Sequence, residues 1–345
     1  MVKATNKAVV FLKSPDEYPI PGEHLGFVED RELDQELNDN EVLTRNLYIS
    51  LDPYLRNRMK GATASYIGRF SAGQPIDNLA VAEVITSKNP KVPVGSIVVG
   101  FLGWEEYTRV PASNPLRIIE GARESKIPLS FYVGVLGMPG LTAYGSFFEI
   151  GKPKAGETIF ISAASGAVGQ IVGQLARLKG LRVIGSAGSD DKVEYLLKTL
   201  KFDAAFNYKK GDILESLRAA APEGIDIYYE NVGGETLEAA LEVFNDHGRI
   251  IACGMISGYN LATPYGIKNL FLIVTKRLKM EGFVVNDFSD EVRERFEKEV
   301  RAWLLEGKIV YKEDIAVGLE NTPEAFVGML QGKNFGKAAV KIADL

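Results

Sequence analysis

The chain has one cysteine, Cys253, and two histidines, His24 and His247, in 345 residues. A single cysteine cannot form a disulfide within the chain. A four-cysteine structural zinc site is excluded, and so is a catalytic site of two cysteines and a histidine. Cys253 falls in the apolar run IIACG, which predicts a buried, unreactive strand thiol and no nucleophile. His247, in NDHGR, has the surroundings of a turn residue. No apolar run is long enough to span a bilayer, and the opening MVKATNKAVVFLKSPDEY has no signal-peptide h-region. Positive charge is also short, with 40 Lys and Arg against 45 Asp and Glu and a net charge of −5. No basic stripe marks a nucleic-acid or anionic-membrane surface. These absences lead to the expectation of a cytoplasmic enzyme without metal or thiol chemistry, long enough for two domains.

The strongest positive signal is residues 157–192, ETIFISAASGAVGQIVGQLARLKGLRVIGSAGSDDK. A short apolar, β-prone run suits a buried parallel strand. Gly166 and Gly169 follow with the spacing of the last two glycines of a dinucleotide fingerprint, and Ala164 takes the first place. Ile171, Val172, Leu175, Ala176 and Leu178 recur at helical spacing, and Gly180 ends the helix. Gly166 lets backbone N–H groups approach a pyrophosphate, which the positive end of the helix stabilises. Gly169 lets the helix pack closely on the strand. An ordinary strand–helix turn is the plain alternative, and the flanking βαβ pattern disfavours it.

The second strand ends in Ser186, Ala187, Gly188 and Ser189, with no carboxylate for a ribose 2′-hydroxyl. Asp190 and Asp191 come later, in the first turn of a helix with Ser189 at its N-cap, where negative charge is favourable. Lys192 is then placed to neutralise a 2′-phosphate. The cofactor expected is NADPH.

Before residue 127, strand-like pieces such as AVVFL, LGFVED, AVAEVITS and GSIVVGF alternate with Gly and Pro punctuation. That pattern predicts a small β-barrel or sandwich. A βα alternation follows. It predicts a helix over 138–149 and strands over 157–162, 182–185, 204–207, 225–230, 249–253 and 279–285. Helical stretches such as ETLEAALEVFN and NLFLIVTKRL lie between them, which describes a doubly wound parallel sheet. The tail ends in the strand AAVKI and is expected to fold back onto the first domain. The division expected is 1–127, completed by 312–345, and 128–311 for the nucleotide.

Several blocks are more specific than a glycine turn: NLYISLDPYLR, GWEEY, PLSFYVGVLGMPGLTAYGSFFEI, FNYKK, GIDIYYENVGG, ACGMISGYN, GFVV and GKNFGK. Together they resemble the zinc-independent branch of the medium-chain dehydrogenase/reductase superfamily that holds alkenal double-bond reductases and prostaglandin reductase. The similarity runs through essentially the whole chain. It implies an α/β fold, with a GroES-like β-barrel domain followed by a Rossmann doubly wound sheet, and a homodimer. It also implies NADPH-dependent reduction of the C=C bond of a small enal or enone.

The resemblance carries residue by residue. Met138 and Thr142 would line the nicotinamide side, and Ala164, Gly166, Ala167 and Val168 would hold the pyrophosphate. Gly188, Lys192 and Tyr208 would surround the 2′-phosphate. Asn231, Cys253, Gly254 and Ser257 would follow the cofactor along later strand ends. Phe283, Val284 and Val285 would approach the nicotinamide, and Asn334 would close the site from the tail. Without the resemblance, residues 283–285 read as a core strand, and Asn231 with Gly233 and Gly234 as a turn of positive φ.

Hydride delivery to the β-carbon makes negative charge develop on the carbonyl oxygen, which calls for a positioned donor. Tyr259, in ISGYN, matches the family tyrosine near the substrate. A phenol with a reference pKa of about 10 is neutral at pH 7 and can donate to that oxygen. The ribose 2′-hydroxyl could share the role. Tyr54, in LDPYL, matches a second substrate-side tyrosine. Tyr66, in GATASYIGRFSAG, is a weaker candidate on a possible lid. Leu79 stands near a position where plant double-bond reductases tend to carry tyrosine, which favours an apolar pocket for aliphatic enals or benzalacetone-like enones. Quinone reduction and non-catalytic NADPH binding remain open on the same fold.

Overall fold

The computed structural model describes residues 4–60, 67–263 and 265–345. It divides into two compact units, Met1–Gly137 with Glu313–Leu345 and Met138–Lys312.

The first unit opens with β1 (Ala4–Phe11) and β2 (Leu25–Leu33), an antiparallel pair. Next come β3 (Val42–Ser50), the single helical turn α1 (Leu55–Arg58), β4 (Asp77–Ser87), β5 (Ile97–Gly103), β6 (Tyr107–Val110) and β7 (Arg117–Ile118). Val9, Leu25, Ile49, Leu55, Ala82 and Trp104 are among the side chains at its core. Arg58, at the end of α1, locks the approach to β4. Its guanidinium forks onto Asp77 at 2.8 and 3.1 Å, donates to the Gly68 carbonyl at 2.7 Å and lies 4.0 Å over the Phe70 ring. A planar bidentate donor of this kind fixes geometry that a lysine cannot.

In the second unit, α2 (Met138–Ser146) precedes β8 (Thr158–Ile161), α3 (Gly169–Leu178), β9 (Arg182–Ala187) and α4 (Asp190–Glu194). Then follow β10 (Ala204–Asn207), α5 (Ile213–Ala220), β11 (Ile225–Glu230), α6 (Gly234–Val243), β12 (Phe244–Ala252), α7 (Leu272–Thr275), β13 (Lys279–Gly282) and α8 (Asp290–Leu305). The strands form one parallel sheet in the order β10-β9-β8-β11-β12-β13. All four residues of β8 are buried, as a strand covered on both faces requires. The order reverses between β8 and β11, and open sheets of this kind bind ligands outside the strand ends at such a point.

A wedge that the sequence does not announce ties α3 to this sheet. A Cβ on Gly173 would stand 2.0 Å from the Phe202 ring, and one on Gly185 would stand 2.9 Å from it. Two glycines, one on α3 and one on β9, make the slot for a single phenyl ring.

Three expectations need correction. β13 stops at Gly282, and Phe283, Val284 and Val285 leave the sheet, because the Asp287 carboxylate takes the Val284 N–H at 3.1 Å and starts a 3-10 turn over Val285–Asp287. NLFLIVTKRL yields only the four-residue α7, with Arg277 just beyond it at a φ of 51°. The helix from Met138 keeps α geometry to Ser146 and widens to a π turn over Phe147–Gly151.

The tail returns to the first unit as β14 (Glu313–Val317), α9 (Thr322–Leu330) and β15 (Lys337–Lys341). The completed sheet runs β14-β15-β3-β4-β5-β7, with β6 on β3. Residues 128–137 also lie in this unit. Their 3-10 turn Leu129–Val133 is tied there by Ser130 Oγ, which donates to Glu313 Oε2 at 2.7 Å. Among the described residues, no helix is long and apolar enough to cross a membrane.

Candidate functional site

The turn between β8 and α3 is built for close backbone approach. Ala163 takes the left-handed region at a φ of 47°, and the Gly166 N–H closes onto its carbonyl at 3.0 Å. Ala164 donates to the Ser186 carbonyl at 2.9 Å, which holds the turn against β9. A Cβ on Gly169 would stand 2.6 Å from the Ala163 oxygen and 2.7 Å from the Ala164 Cα, so only glycine lets α3 start there. Val168 precedes α3 without a side-chain cap. Ala164, Gly166, Ala167 and Val168 thus sit at a helix N-terminus whose dipole and N–H groups favour an anion.

At the end of β9, the Tyr208 hydroxyl lies 3.1 Å from where a Cβ on Gly188 would stand. Tyr208 donates its backbone N–H to Ala187 at 3.1 Å, and the Lys209 ammonium lies 5.9 Å over its ring. Asp190 accepts from Asn207 Nδ2 at 2.8 Å and pairs with Lys210. These two partners hold its carboxyl below the usual range. Asp190 and Asp191 do occupy the first turn of α4, next to Lys192. Ser189 stands at the N-cap in extended conformation, but its hydroxyl bonds the Asp191 carboxylate and makes no backbone cap. The short acceptor two residues on wins the hydroxyl.

The ends of β11 and β12 are organised by Glu230. Its Oε1 accepts from the backbone of Val232 at 2.6 Å and Gly233 at 2.8 Å, and from the Tyr228 hydroxyl at 2.8 Å. Its Oε2 is buried without a partner, and burial pushes the carboxyl up. The Glu230 carbonyl accepts from both Cys253 and Gly254 at 3.0 Å. Cys253 therefore lies just past β12, in the loop and not in the strand as its apolar run suggests. Its residue surface is only partly covered, yet burial of the thiol beside the Tyr229 hydroxyl pushes it up to about 12. Such a thiol is not a nucleophile.

Asn231 spans back to β8, donating from Nδ2 to the Ser162 carbonyl at 2.8 Å and from its backbone to Ser162 Oγ at 3.0 Å. Gly233 and Gly234 follow with φ of 73° and 57°. Ser257 donates its backbone N–H to the Val232 carbonyl at 3.0 Å. The hydroxyl of Tyr259, just after the 3-10 turn Ile256–Gly258, accepts from the Met255 N–H at 3.4 Å. On α2, Thr142 Oγ1 donates to the Met138 sulfur at 3.5 Å, and Ser146 links the Thr142 carbonyl to the Tyr229 hydroxyl at 2.7 Å each. The Phe283 ring packs 5.5 Å from Phe288.

In the first unit, Tyr54 is half-buried just before α1 and donates to Asn78 Oδ1. Leu79, next on β4, lies 3.2 Å from where a Cβ on Gly137 would stand. Asn334 spends its amide on the Gly336 carbonyl at 2.8 Å. Tyr66 lies outside the described residues.

Comparison with known proteins agrees with this layout. A family model described as the N-terminal domain of oxidoreductase matches residues 11–118, and one described as zinc-binding dehydrogenase matches residues 167–304. The NADP(+)-dependent 2-alkenal reductase of Nicotiana tabacum is 47% identical over 88% of both chains. A zinc-type alcohol dehydrogenase-like protein of Schizosaccharomyces pombe is 48% identical over 99% of both chains. The crystal structure of CurA from Vibrio vulnificus in complex with NADPH superposes with a TM-score of 0.89, at 37% identity over 98% of this chain and 100% of that one. The chain belongs to the zinc-independent medium-chain dehydrogenase/reductase family.

In this medium-chain reductase, three clusters stand at strand ends of the second unit: 164–168 after β8, Gly188 with Tyr208 after β9 and β10, and 231–259 after β11 and β12. Sequence reasoning missed Glu230, Ser162 and Asn207, which hold those loops. It also missed Asn78 behind Tyr54. A buried carboxylate in a strand carries no periodic signal, and nothing local marks a glutamate that feeds two loops.

Proposed function

We propose that this reductase uses NADPH to reduce the carbon–carbon double bond of α,β-unsaturated aldehydes and ketones. The observation that carries the cofactor is the end of β9. Asp190, the first carboxylate after the strand, is held by Asn207 and Lys210, and the Tyr208 phenol stands against Gly188. Gly166, Gly188 and Gly254 keep these strand ends free of side chains, since a Cβ there would stand 3.1, 3.1 and 3.2 Å from a neighbouring atom, closer than ordinary van der Waals contact. The named activity of the tobacco relative and the NADPH of the CurA complex support the same reading.

When bound, NADPH would supply the hydride that the β-carbon takes, and a proton taken up at the α-carbon completes the saturated carbonyl product. The chain's own residues bind, orient and stabilise. The N-terminus of α3 holds the pyrophosphate, and Lys192 and Tyr208 hold the 2′-phosphate through charge-assisted hydrogen bonds. Met138, Thr142 and residues 283–285 border the nicotinamide. Tyr259 donates to the carbonyl oxygen as charge develops on it.

The test is loss of nicotinamide absorbance with trans-2-enals, benzalacetone-type enones and quinones side by side, with products identified. A saturated carbonyl product is expected. An alcohol product would overturn the reading. A homodimer belongs to the same proposal, supported by exposed Leu270, Phe271 and Val274 just before the edge strand β13; a sedimentation mass of one chain would remove it.

A further inference from the structure

Glu230 is the last residue of β11 and is fully buried. Its side chain and its backbone both support the loop that carries Tyr259. Oε1 gathers the N–H groups of Val232 and Gly233, at 2.6 and 2.8 Å, and so bends residues 231–234 around the carboxyl. Asn231 is also tied to Ser162, whereas Val232 and Gly233 give their N–H groups to Glu230. The carbonyls of this bend are taken by the next loop. Asn231 accepts from the Ile256 N–H at 3.1 Å, and Val232 accepts from the Ser257 N–H at 3.0 Å and from the Ser257 hydroxyl. The Glu230 carbonyl holds the start of the same loop through Cys253 and Gly254, at 3.0 Å each. The Tyr259 N–H then closes on the Ile256 carbonyl at 3.1 Å. The two segments touch closely, since a Cβ on Gly233 would stand 2.9 Å from the Met255 Cβ and one on Gly234 would stand 3.1 Å from Ser257 Oγ. The turn before Tyr259 thus rests on four residues shaped by one carboxyl.

We propose that Glu230 is a positioning residue for Tyr259: by fixing residues 231–234 it sets where the phenol stands. The consequence for catalysis rests on the reading of Tyr259 as the oxyanion donor in enal and enone reduction. A misplaced donor loses a contact that forms only in the transition state, so kcat falls and KM hardly moves.

The variants are Glu230→Leu, which removes the acceptor, and Glu230→Gln, which keeps it. An amide oxygen accepts as Oε1 does, and burial already pushes the carboxyl up, toward the neutral form an amide resembles. On a trans-2-enal, Glu230→Leu should lose roughly 100-fold in kcat, the scale of a misplacement of about 1 Å. Glu230→Gln should restore turnover. Adding Glu230→Leu to Tyr259→Phe should cost nothing further, because the donor is already gone. A merely structural role makes the two losses multiply, and that result would overturn the proposal. So would a Glu230→Leu loss confined to KM. Hydrogen exchange reads the same contact without turnover. The amides of residues 253–259 should exchange roughly ten-fold faster or more in Glu230→Leu, with those of β8 unchanged; equal protection in both proteins would also overturn it. If Glu230→Leu does not fold, Gly233→Ala strains the same contact from the other side and is held to the same outcomes. A protein whose loop amides loosen as expected but which reduces no enal would sink the reductase reading and leave the positioning of Tyr259 standing.

Discussion

The Tyr259 hydroxyl lies 3.2 Å from the point where a Cβ on Gly254 would stand. The phenol is folded back over the end of β12, at the edge of the sheet where a parallel α/β fold presents its ligands. A side chain at residue 254 would occupy the space the hydroxyl uses.

Tyr259→Phe keeps the ring and removes the donor. Loss of one oxyanion donor costs about 2.7–4 kcal/mol of barrier, so kcat on a trans-2-enal should fall roughly 100- to 1000-fold. KM should change far less. Steady-state kinetics checks this, and unchanged turnover would shift the role to the ribose hydroxyl or to water.

Lys192→Ala removes the cation proposed for the 2′-phosphate. The NADPH dissociation constant should rise roughly ten-fold or more, from a charge-assisted bond of about 1.5–3 kcal/mol. NADH binding should hardly move. Fluorescence titration with both nucleotides decides, because equal losses would mean the lysine reads no phosphate.

Gly173→Ala drives a methyl into the Phe202 ring, 2.0 Å from its nearest carbon. Overpacking of this kind costs about 1–3 kcal/mol, read as a lower urea midpoint. Phe202→Leu should restore part of the loss in the double variant. Additive losses would show that the two residues do not share the slot.

Glu230 links stability to pH. Burial raises its carboxyl above the ordinary value of 4.5. Its contribution is then fully present below that value and is lost as pH rises through the raised one. Glu230→Gln keeps the Oε1 acceptor without the buried charge. Urea melts should show the variant gaining on wild type as pH rises above 4.5. A gap that stays constant over that window would mean the carboxyl does not titrate there.

Legibility in the chain followed the range of the interaction. The strand–turn–helix around Gly166 and Gly169 was readable, because glycine spacing, apolar run and helix period all lie within a few dozen residues. β13 was read three residues too long, since the Asp287 carboxylate that ends it competes from outside the apolar run. The helix expected in NLFLIVTKRL shrank to four residues although its composition favours more, as tertiary context often overrides propensity. Cys253 was expected in a strand, but its place past β12 depends on the Glu230 carbonyl, 23 residues earlier.

The sequence by itself determined the class of chemistry. With one cysteine and two histidines, a cysteine-built zinc centre had too few ligands, and a glycine turn with no carboxylate at the tip of the next strand pointed to a phosphorylated dinucleotide. Tertiary structure decided which atoms donate and which accept. Asp52 accepts from Lys337, 285 residues away, and from the Asn78 side-chain amide, which that contact orients. Hydrogen-bond direction is set by the full set of partners around a buried group, and those partners are assembled only when distant strands pair.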